Sequence, residues 1–353
     1  MRGFWRIFQK LRLMGEWKEG KLGDFVTLKR GYDLPKRKRE EGNVPIISSS
    51  GVSGTHSQPK VNGPGVVTGR YGTIGEVFYS EKPFWPLNTT LYVQDFKGND
   101  ERFVYYFLQA FDFRKFNDKS TVPGVNRNHV HEEVVSIPDL DTQKEIAEIL
   151  SSLDDKIDLL RRQNATLEGL TGALFREWFV EGVGEDWEEG TLGDLVEFNY
   201  GKGLKRSDRS DGKFPVYGSS GIVDYHSEPL VESDGVIIGR KGTLGVVNYS
   251  SNPFWPIDTT YYVTPKTVSN GIRYIYLLMK SFDFSKLNSD SAVPGLNRNT
   301  ATALIVKIPP PGIINKFDKE VKPYFDKMTL NNNSIETTAE LRNAIIANVL
   351  KKN

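Results

Sequence analysis

The sequence predicts an α+β chain in which two homologous α/β heads are separated by two long antiparallel helices forming a coiled coil, with internal pseudo-twofold, cyclic symmetry. Three observations carry that prediction. A domain-sized segment occurs twice. Short β-type runs broken by Gly, Pro, Asn and Ser fill each copy, and two stretches outside the copies repeat apolar residues in steps of four and three.

The duplication is the strongest of the three. GRYGTIGEVFYSEKPFWPLNTTLYV, Gly69 to Val93, returns as GRKGTLGVVNYSSNPFWPIDTTYYV, Gly239 to Val263, at an offset of 170. The same offset pairs WKEGKLGDF at Trp17 with WEEGTLGDL at Trp187, and SSGVSGTHSQP at Ser49 with SSGIVDYHSEP at Ser219. One inserted residue near Ser281 shifts the offset to 171, which pairs VPGVNRN at Val122 with VPGLNRN at Val293. The period is that of a domain, too long for a solenoid repeat. A chain of 353 residues has room for two such domains.

Residues 1–14 read as a helix with Phe4, Trp5, Ile7, Phe8 and Leu11 near one face. Shifted by 170 they align with Leu174 to Val180, so they resemble a helix end that joins the helical region. The C-terminal helix is then expected beside them. Residues 15–140 form the first head: FVTLKRG, VPIISSSG, GVVTGRYG, GEVFYS and TTLYVQ are β-type, and RFVYYFLQAF near Arg102 is helical.

Residues 141–182 form the central helix. Ile146, Leu150, Leu153, Ile157, Leu160, Asn164, Leu167, Thr171, Leu174 and Trp178 make a heptad seam. Asn164 sits on it, where a buried amide fixes register at a cost in stability. Residues 183–309 repeat the head. Residues 310–353 carry the matching seam, Phe317, Val321, Tyr324, Met328, Ile335, Ile345 and Val349.

Composition excludes several chemistries. There is no cysteine, hence no disulfide, thiolate nucleophile or cysteine-based zinc site. The four histidines, His56, His129, His131 and His226, lack metal-ligand spacing. No apolar run spans a bilayer and no cleavable leader is legible, so a cytoplasmic location is expected. Net charge is +1: residues 1–140 hold 21 Lys+Arg against 16 Asp+Glu, and residues 181–308 hold 13 against 16. A chain that grips DNA unaided usually carries a strongly basic face. This chain's own field is too weak to dominate its affinity for any partner.

Catalytic motifs are scarce. There is no GxSxG elbow, HExxH, P-loop or strand-following GxGxxG, and no amino-methyltransferase site or cofactor loop. Pro138-Asp139 with Asp154-Asp155-Lys156 fits the spacing of a metal nuclease, but its second half falls in the heptad helix. The glycine-dense turns read as tight hairpins needing positive φ at Gly69, Gly72 and Gly75. They present donors for phosphates or base edges: Arg70, Tyr71 and Thr73 in one copy, Arg240, Lys241 and Thr243 in the other. Ser49, Ser50 and His56, like Ser219, Ser220 and His226, belong to polar loops that either reach a groove or cap a turn. Lys36 and Arg37 open the densest basic run, a solvated loop or a phosphate contact. Arg127 and Arg298 lie in identical Asn-Arg-Asn strings, which favours a shared structural or backbone-positioning job. The PFWP segments read as core.

Taken together, the WxxGxLGD openings, the GRxGTxG turns, the VPGxNRN strings and IPDLDTQKEIAEILSSLDDKID from Ile137 resemble the DNA-specificity subunits of type I restriction–modification systems, which defend against foreign DNA. The likeness covers essentially the whole chain. The second copy departs from it, since IPPPGIINKFDKEVKPYFDKM lacks the glutamine present at Gln143. The resemblance implies two target recognition domains, each reading half of an interrupted double-stranded DNA sequence, with the coiled coil as a ruler for the unread gap. It implies a non-catalytic chain that binds no cofactor itself. Two methyltransferase subunits would bring S-adenosylmethionine and methylate adenine N6, and motor-nuclease subunits would use ATP and Mg²⁺. The residues alone also admit a tandem carbohydrate- or protein-binding module, and an enzyme carrying its own nuclease site.

Overall fold

The computed structural model describes residues 15–116, 124–267, 271–287 and 295–350. The helix expected over 1–14 lies outside them, as do Val122-Pro123 and Val293-Pro294 of the repeated strings. The chain divides into two compact units, Met1–Leu159 with Ser334–Asn353, and Leu160–Asn333.

In the first unit, β1 (Trp17–Lys21) pairs antiparallel with β9 (Val134–Pro138), setting Trp17 opposite Pro138. The head therefore starts and ends at one place. After β1 comes the single turn α1 (Leu22–Phe25), closed where Asp24 accepts the Lys21 N–H at 3.0 Å. A four-stranded antiparallel sheet runs in the order β2 (Thr27–Arg30), β8 (Thr90–Asp95), β5 (Gly65–Gly69), β6 (Val77–Ser80). A smaller sheet sets β3 (Val44–Ser48) between β4 (Gly51–His56) and β7 (Trp85–Pro86). Strand β5 is buried throughout because both of its faces are covered. Val66 joins the main core under helix α2 (Glu101–Ala110), while Val67 turns to Ile47, Phe84 and Tyr92. Helix α3 (Arg127–His131) precedes β9, which leads directly into α4 (Leu140–Arg176).

The second unit repeats this plan after α4. Strand β10 (Glu188–Thr191) leads into α5 (Leu192–Leu195) and pairs with β18 (Ile305–Ile308). The larger sheet is β11 (Val196–Tyr200), β17 (Thr260–Pro265), β14 (Gly235–Gly239) and β15 (Val247–Ser250). The smaller is β13 (Gly221–His226), β12 (Phe214–Gly218) and β16 (Trp255–Pro256). Helices α6 (Ile272–Lys280) and α7 (Arg298–Thr302) precede α8 (Pro311–Ile345), whose first residue is a proline that has no N–H to leave unpaired.

The long helices take the seam that the heptads predict. In the first unit Ile146 and Leu150 of α4 share a core with Ile345, Ile346, Val349 and Leu350 and with Phe103, Tyr106 and Phe107 of α2. Asp154, further along α4, meets Arg342 at 2.6 Å and accepts the Tyr106 hydroxyl at 2.7 Å. Later residues of one helix thus face earlier residues of the other, which is antiparallel pairing. In the second unit Phe175 and Phe179 pack with Phe317, Val321 and Tyr274. There Asn164 exchanges hydrogen bonds with Asn331 at 2.9 Å and Asn332 at 2.7 Å. Asn331 is 1% exposed, so this polar layer penalises any slip that would strand it without partners. Both long helices finish in a π-helical turn, Glu177–Glu181 and Ile346–Leu350. By the repeat offset, Ile346 and Leu350 correspond to Phe175 and Phe179. Each head is plugged by the end of a long helix.

The two heads grip their helices differently. Asp139 caps α4: its carboxylate accepts the Thr142 N–H and hydroxyl, both at 3.0 Å, and the Glu16 N–H at 3.2 Å. These bonds hold its pKa below the usual carboxylate range, the Thr142 N–H chief among them. Gln143, 2% exposed, accepts the Asp100 N–H at 2.9 Å and donates to Asn99 and Pro138. In the second unit Ile314 stands at the corresponding place, 1% exposed, and polarity moves one turn along to Asp318. Asp318 takes the Arg273 N–H at 2.9 Å and its guanidinium at 2.7 Å. The absence of a counterpart to Gln143 is compensated by a different anchor.

One difference is testable by pH. His131 ends α3 and accepts the Leu28 N–H on Nε2 at 2.9 Å, a bond open only to the neutral ring. Burial, with Arg127 and Lys97 nearby, pushes its pKa below the ordinary 6.5. The unfolded chain therefore binds a proton that the folded head refuses. This stabilisation is complete above about pH 6.5 and is lost as pH falls through the lowered folded value. Thr302 holds the corresponding place in the second head, so acidification is expected to weaken the first head selectively. Urea unfolding between about pH 7.5 and 5 checks this. His131→Thr should flatten the difference, and an equal acid sensitivity in that variant would remove His131 as its cause.

Candidate functional site

Each head assembles its candidate surface from three pieces of chain: the β3–β4 turn, the β5–β6 turn and the strip before α3, with their counterparts in the second head. In the first head the Arg70 and Tyr71 N–H groups both donate to the Thr89 carbonyl, at 2.9 and 3.1 Å. Gly75 closes the turn by donating to the Gly69 carbonyl at 3.2 Å. Gly72 and Gly75 adopt positive φ, 74° and 84°, as the turn demands. Gly69 does not. It is needed because a Cβ there would stand 1.8 Å from the Thr73 carbonyl oxygen and 3.2 Å from that of Ser49. That close approach sets the Ser49 turn against the Arg70–Thr73 turn. In the second head Gly239 is crowded in the same way by Thr243 and Ser219, and the Thr243 N–H donates to the Ser219 hydroxyl at 3.4 Å.

The third piece is stapled to the second. Val125 N–H donates to the Arg70 carbonyl at 3.0 Å, and Arg70 Nε–H donates back to the Val125 carbonyl at 3.2 Å. Tyr71 bridges to Gly124, whose missing Cβ would lie 2.1 Å from the Tyr71 ring. In the second head Leu296 N–H donates to the Arg240 carbonyl at 2.9 Å, and Lys241 bridges to Gly295. The identical asparagines are helix caps: Asn126 accepts the Asn128 N–H at 3.0 Å, and Asn297 accepts those of Asn299 and Thr300 at 2.8 and 3.3 Å. This is the shared structural job that their identity suggests. Arg127 and Arg298 follow as the first residues of α3 and α7, both exposed.

The structure thus brings Ser49, Arg70, Tyr71, Thr73 and the approach to Arg127 together, and likewise Ser219, Arg240, Lys241, Thr243 and the approach to Arg298. Ser50 and Ser220 are exposed beside them. Lys36 and Arg37 lie on an exposed 3₁₀ turn outside these hydrogen bonds. Arg39 of the same run folds back, donating to the Ser53 carbonyl at 3.0 Å.

His56 and His226 stand apart from the expected pattern. They are 6% and 8% exposed, edge-on to Trp85 and Trp255, and their Nδ1 atoms accept the Glu40 and Ser210 N–H groups at 3.0 and 3.1 Å. Both fasten a loop from within, because a ring wedged against tryptophan has no path to an external groove. The PFWP segments are core as expected, with Phe84 and Phe254 fully buried.

Further residues are exposed on the same heads. Strands β4 and β13 are edge strands and expose apolar side chains: Val52 in one head, Ile222, Val223 and Tyr225 in the other. Tyr200, at the end of β11, is 52% exposed although strand alternation places it on the inward side with Val196 and Phe198. The strand has run past its core by that point, which no local pattern reveals.

The nuclease-like pair is occupied otherwise. Asp139 caps α4, and Asp154 is bound by Tyr106 and Arg342, about 22 Å further along the helix at 1.5 Å per residue. Among the described residues no group of three or more His, Asp or Glu is placed to hold a metal ion. No described helix is long and apolar enough to cross a membrane.

Comparison with known proteins agrees with the duplication. Residues 14–169 and 184–343 each match the model of a family described as "Type I restriction modification DNA specificity domain". A putative type I specificity subunit of Mycoplasma genitalium is 27% identical over 289 residues, spanning 75% of this chain and 74% of that protein. The HindI type I restriction enzyme specificity subunit of Haemophilus influenzae is 22% identical over 326 residues, 65% of this chain and 71% of its own. In three dimensions the crystal structure of a type I restriction–modification S subunit from M. genitalium covers 96% of both chains with a TM-score of 0.66 at 20% identity, a shared fold.

Proposed function

The chain belongs to the type I restriction–modification DNA specificity family, and from that premise we propose that each head reads one half of an interrupted duplex sequence while the paired helices set the unread gap. The observation that carries this reading is the contrast between shared scaffold and divergent surface. Both heads hold the same turns with the same glycines, caps and backbone bonds, yet their outward residues differ: Tyr71 against Lys241, Thr55 against Tyr225, Arg30 against Tyr200. Base edges are told apart by side-chain donors, acceptors and apolar contacts, so related platforms with different surfaces read different half-sites. The carbohydrate- or protein-binding alternative has no family match to support it.

The chain is a non-catalytic subunit. Its weak charge fits an assembly in which partners supply much of the phosphate contact that dominates affinity. Those partners are two methyltransferase subunits carrying S-adenosylmethionine and, in the restriction complex, motor-nuclease subunits using ATP and Mg²⁺. The candidate contacts are the clustered Ser49, Arg70, Tyr71, Thr73 and Arg127, and Ser219, Arg240, Lys241, Thr243 and Arg298. Lys36 and Arg37 are suited to a flanking phosphate.

The test is to assemble the chain with its methyltransferase and map methylated adenines across a genome. Two short half-sites separated by a constant unread gap are expected. A continuous target, or methylation without sequence preference, overturns the proposal.

A further inference from the structure

The two heads aim one shared arginine in different ways. In the second head the exposed ring of Tyr200 has Tyr261 beside it, centroids 5.0 Å apart, and two guanidinium groups over it: Arg240 at 4.9 Å and Arg298 at 5.5 Å. In the first head the place of Tyr200 is taken by Arg30, which pairs with Asp33 at 3.7 Å. There the ring comes from the turn itself, with Tyr71 lying 4.4 Å from the Arg70 guanidinium. Lys241 replaces that tyrosine in the second head. Arg70 and Arg240 are corresponding residues, so the same arginine meets an aromatic face on its own turn in one head and, in the other, on β11, across the intervening β17 whose Tyr261 ring lies 5.6 Å from it.

The hydrogen bonds differ in step. Arg70 is tied through Nε to the Val125 carbonyl at 3.2 Å, whereas Arg240 is tied through Nη1 to the Asp258 carbonyl at 3.2 Å. A guanidinium held against a ring and fixed at one nitrogen keeps little rotational freedom, and its planar fork then points one way. Orientation matters because bidentate recognition of a base edge requires both N–H vectors to lie in the base plane.

We infer that Tyr200 and Tyr71 are positioning residues for base-pair specificity: each ring aims the arginine of its head, and the move of that ring from turn to strand gives the heads different preferences. The inference rests on the DNA-reading function proposed above.

The experiment uses the chain assembled with its methyltransferase, offered a library of duplexes randomised across both half-sites, with adenine methylation as readout. Tyr200→Ala is expected to lose discrimination by about tenfold at one or two base pairs of a single half-site, leaving the other half-site and the gap unchanged. Tyr200→Leu, which keeps apolar bulk without a π face, should lose it equally, and Tyr200→Phe should retain it. The double change Tyr200→Arg with Lys241→Tyr, copying the first head, should shift the preferred base there. Unaltered preferences in both Tyr200→Ala and Tyr200→Leu, or an even weakening over all sequences, overturn the inference. An unmodified chain with no bipartite target instead defeats the DNA-reading function, so the two failures are distinguishable.

Discussion

Insertion of one heptad into each long helix at matched positions is expected to widen the unread gap by about three base pairs and to leave both half-sites unchanged. Seven residues add about 10 Å of helix, and duplex DNA advances about 3.4 Å per base pair. The matched positions lie between Asp154 and Asn164 on α4 and between Asn332 and Arg342 on α8, because Asp154 pairs with Arg342 and Asn164 with Asn332. A heptad preserves the face each helix presents, so both polar contacts can re-form. Three base pairs also turn the far half-site by nearly a third of a DNA turn, at roughly 10.5 base pairs per turn, so weaker methylation is expected at the new spacing. Insertion into α4 alone should behave differently. It leaves Asn331 buried without its Asn164 partner and should lower stability by about 1–3 kcal/mol. Mapping the gap in the double-insertion complex decides the matter, and the original spacing in that complex would break the ruler.

Phe317→Ala is expected to destabilise the second unit by about 3–5 kcal/mol. The Phe317 side chain is fully buried, 4.8 Å from Phe179, 5.6 Å from Trp178 and 6.2 Å from Phe175, centroid to centroid. It joins α8 to the end of α4 and to the head in one cluster. Removing the ring loses its transfer free energy and leaves a cavity that three large aromatic neighbours cannot collapse into without leaving their rotamers. Leu330→Ala on the same helix, at 61% exposure, should change stability by no more than about 0.5 kcal/mol. Denaturant titration of both variants supplies the comparison. A loss under about 1 kcal/mol for Phe317→Ala would mean that this cluster does not hold α8 to the head.

The first unit solves the same problem with different chemistry. Ile146 occupies the place of Phe317, and the polar triad Tyr106–Asp154–Arg342 stands close to where the second unit has Tyr276 and Phe325. Burial drives the Tyr106 hydroxyl far above its ordinary pKa, and its bond to Asp154 adds to the shift. Tyr106 therefore acts as a permanent donor to that carboxylate. Duplicated sequences that diverged this far retained their packing positions and exchanged the means of filling them.

Much of the fold was legible because its signals are local or repetitive. The offset of 170 needs no structure to be seen, β-type runs between turn residues mark strands, and steps of four and three mark a seam wherever it later docks. The repeat also placed the C-terminal helix beside residues 1–14, which lie outside the described residues; the structure shows its end in the core of the first head, where Ile346 and Leu350 occupy positions whose copies are Phe175 and Phe179. The turns were legible in part: Gly72 and Gly75 have the positive φ that such a hairpin demands, while Gly69 is required by close approach instead.

Exposure was decided only by the tertiary structure. His56 and Ser49 belong to one polar loop in sequence, yet Trp85 buries the first while the close approach at Gly69 sets the second beside the Arg70 turn. Tyr200 reads as an inward strand residue until the strand is seen to outrun its core. Periodicity and propensity act between neighbours in the chain, whereas whether a side chain meets solvent depends on segments far away in sequence. That is why the sequence by itself determined the repeats, the seams and the family, and the assembled heads determined which residues each presents to solvent.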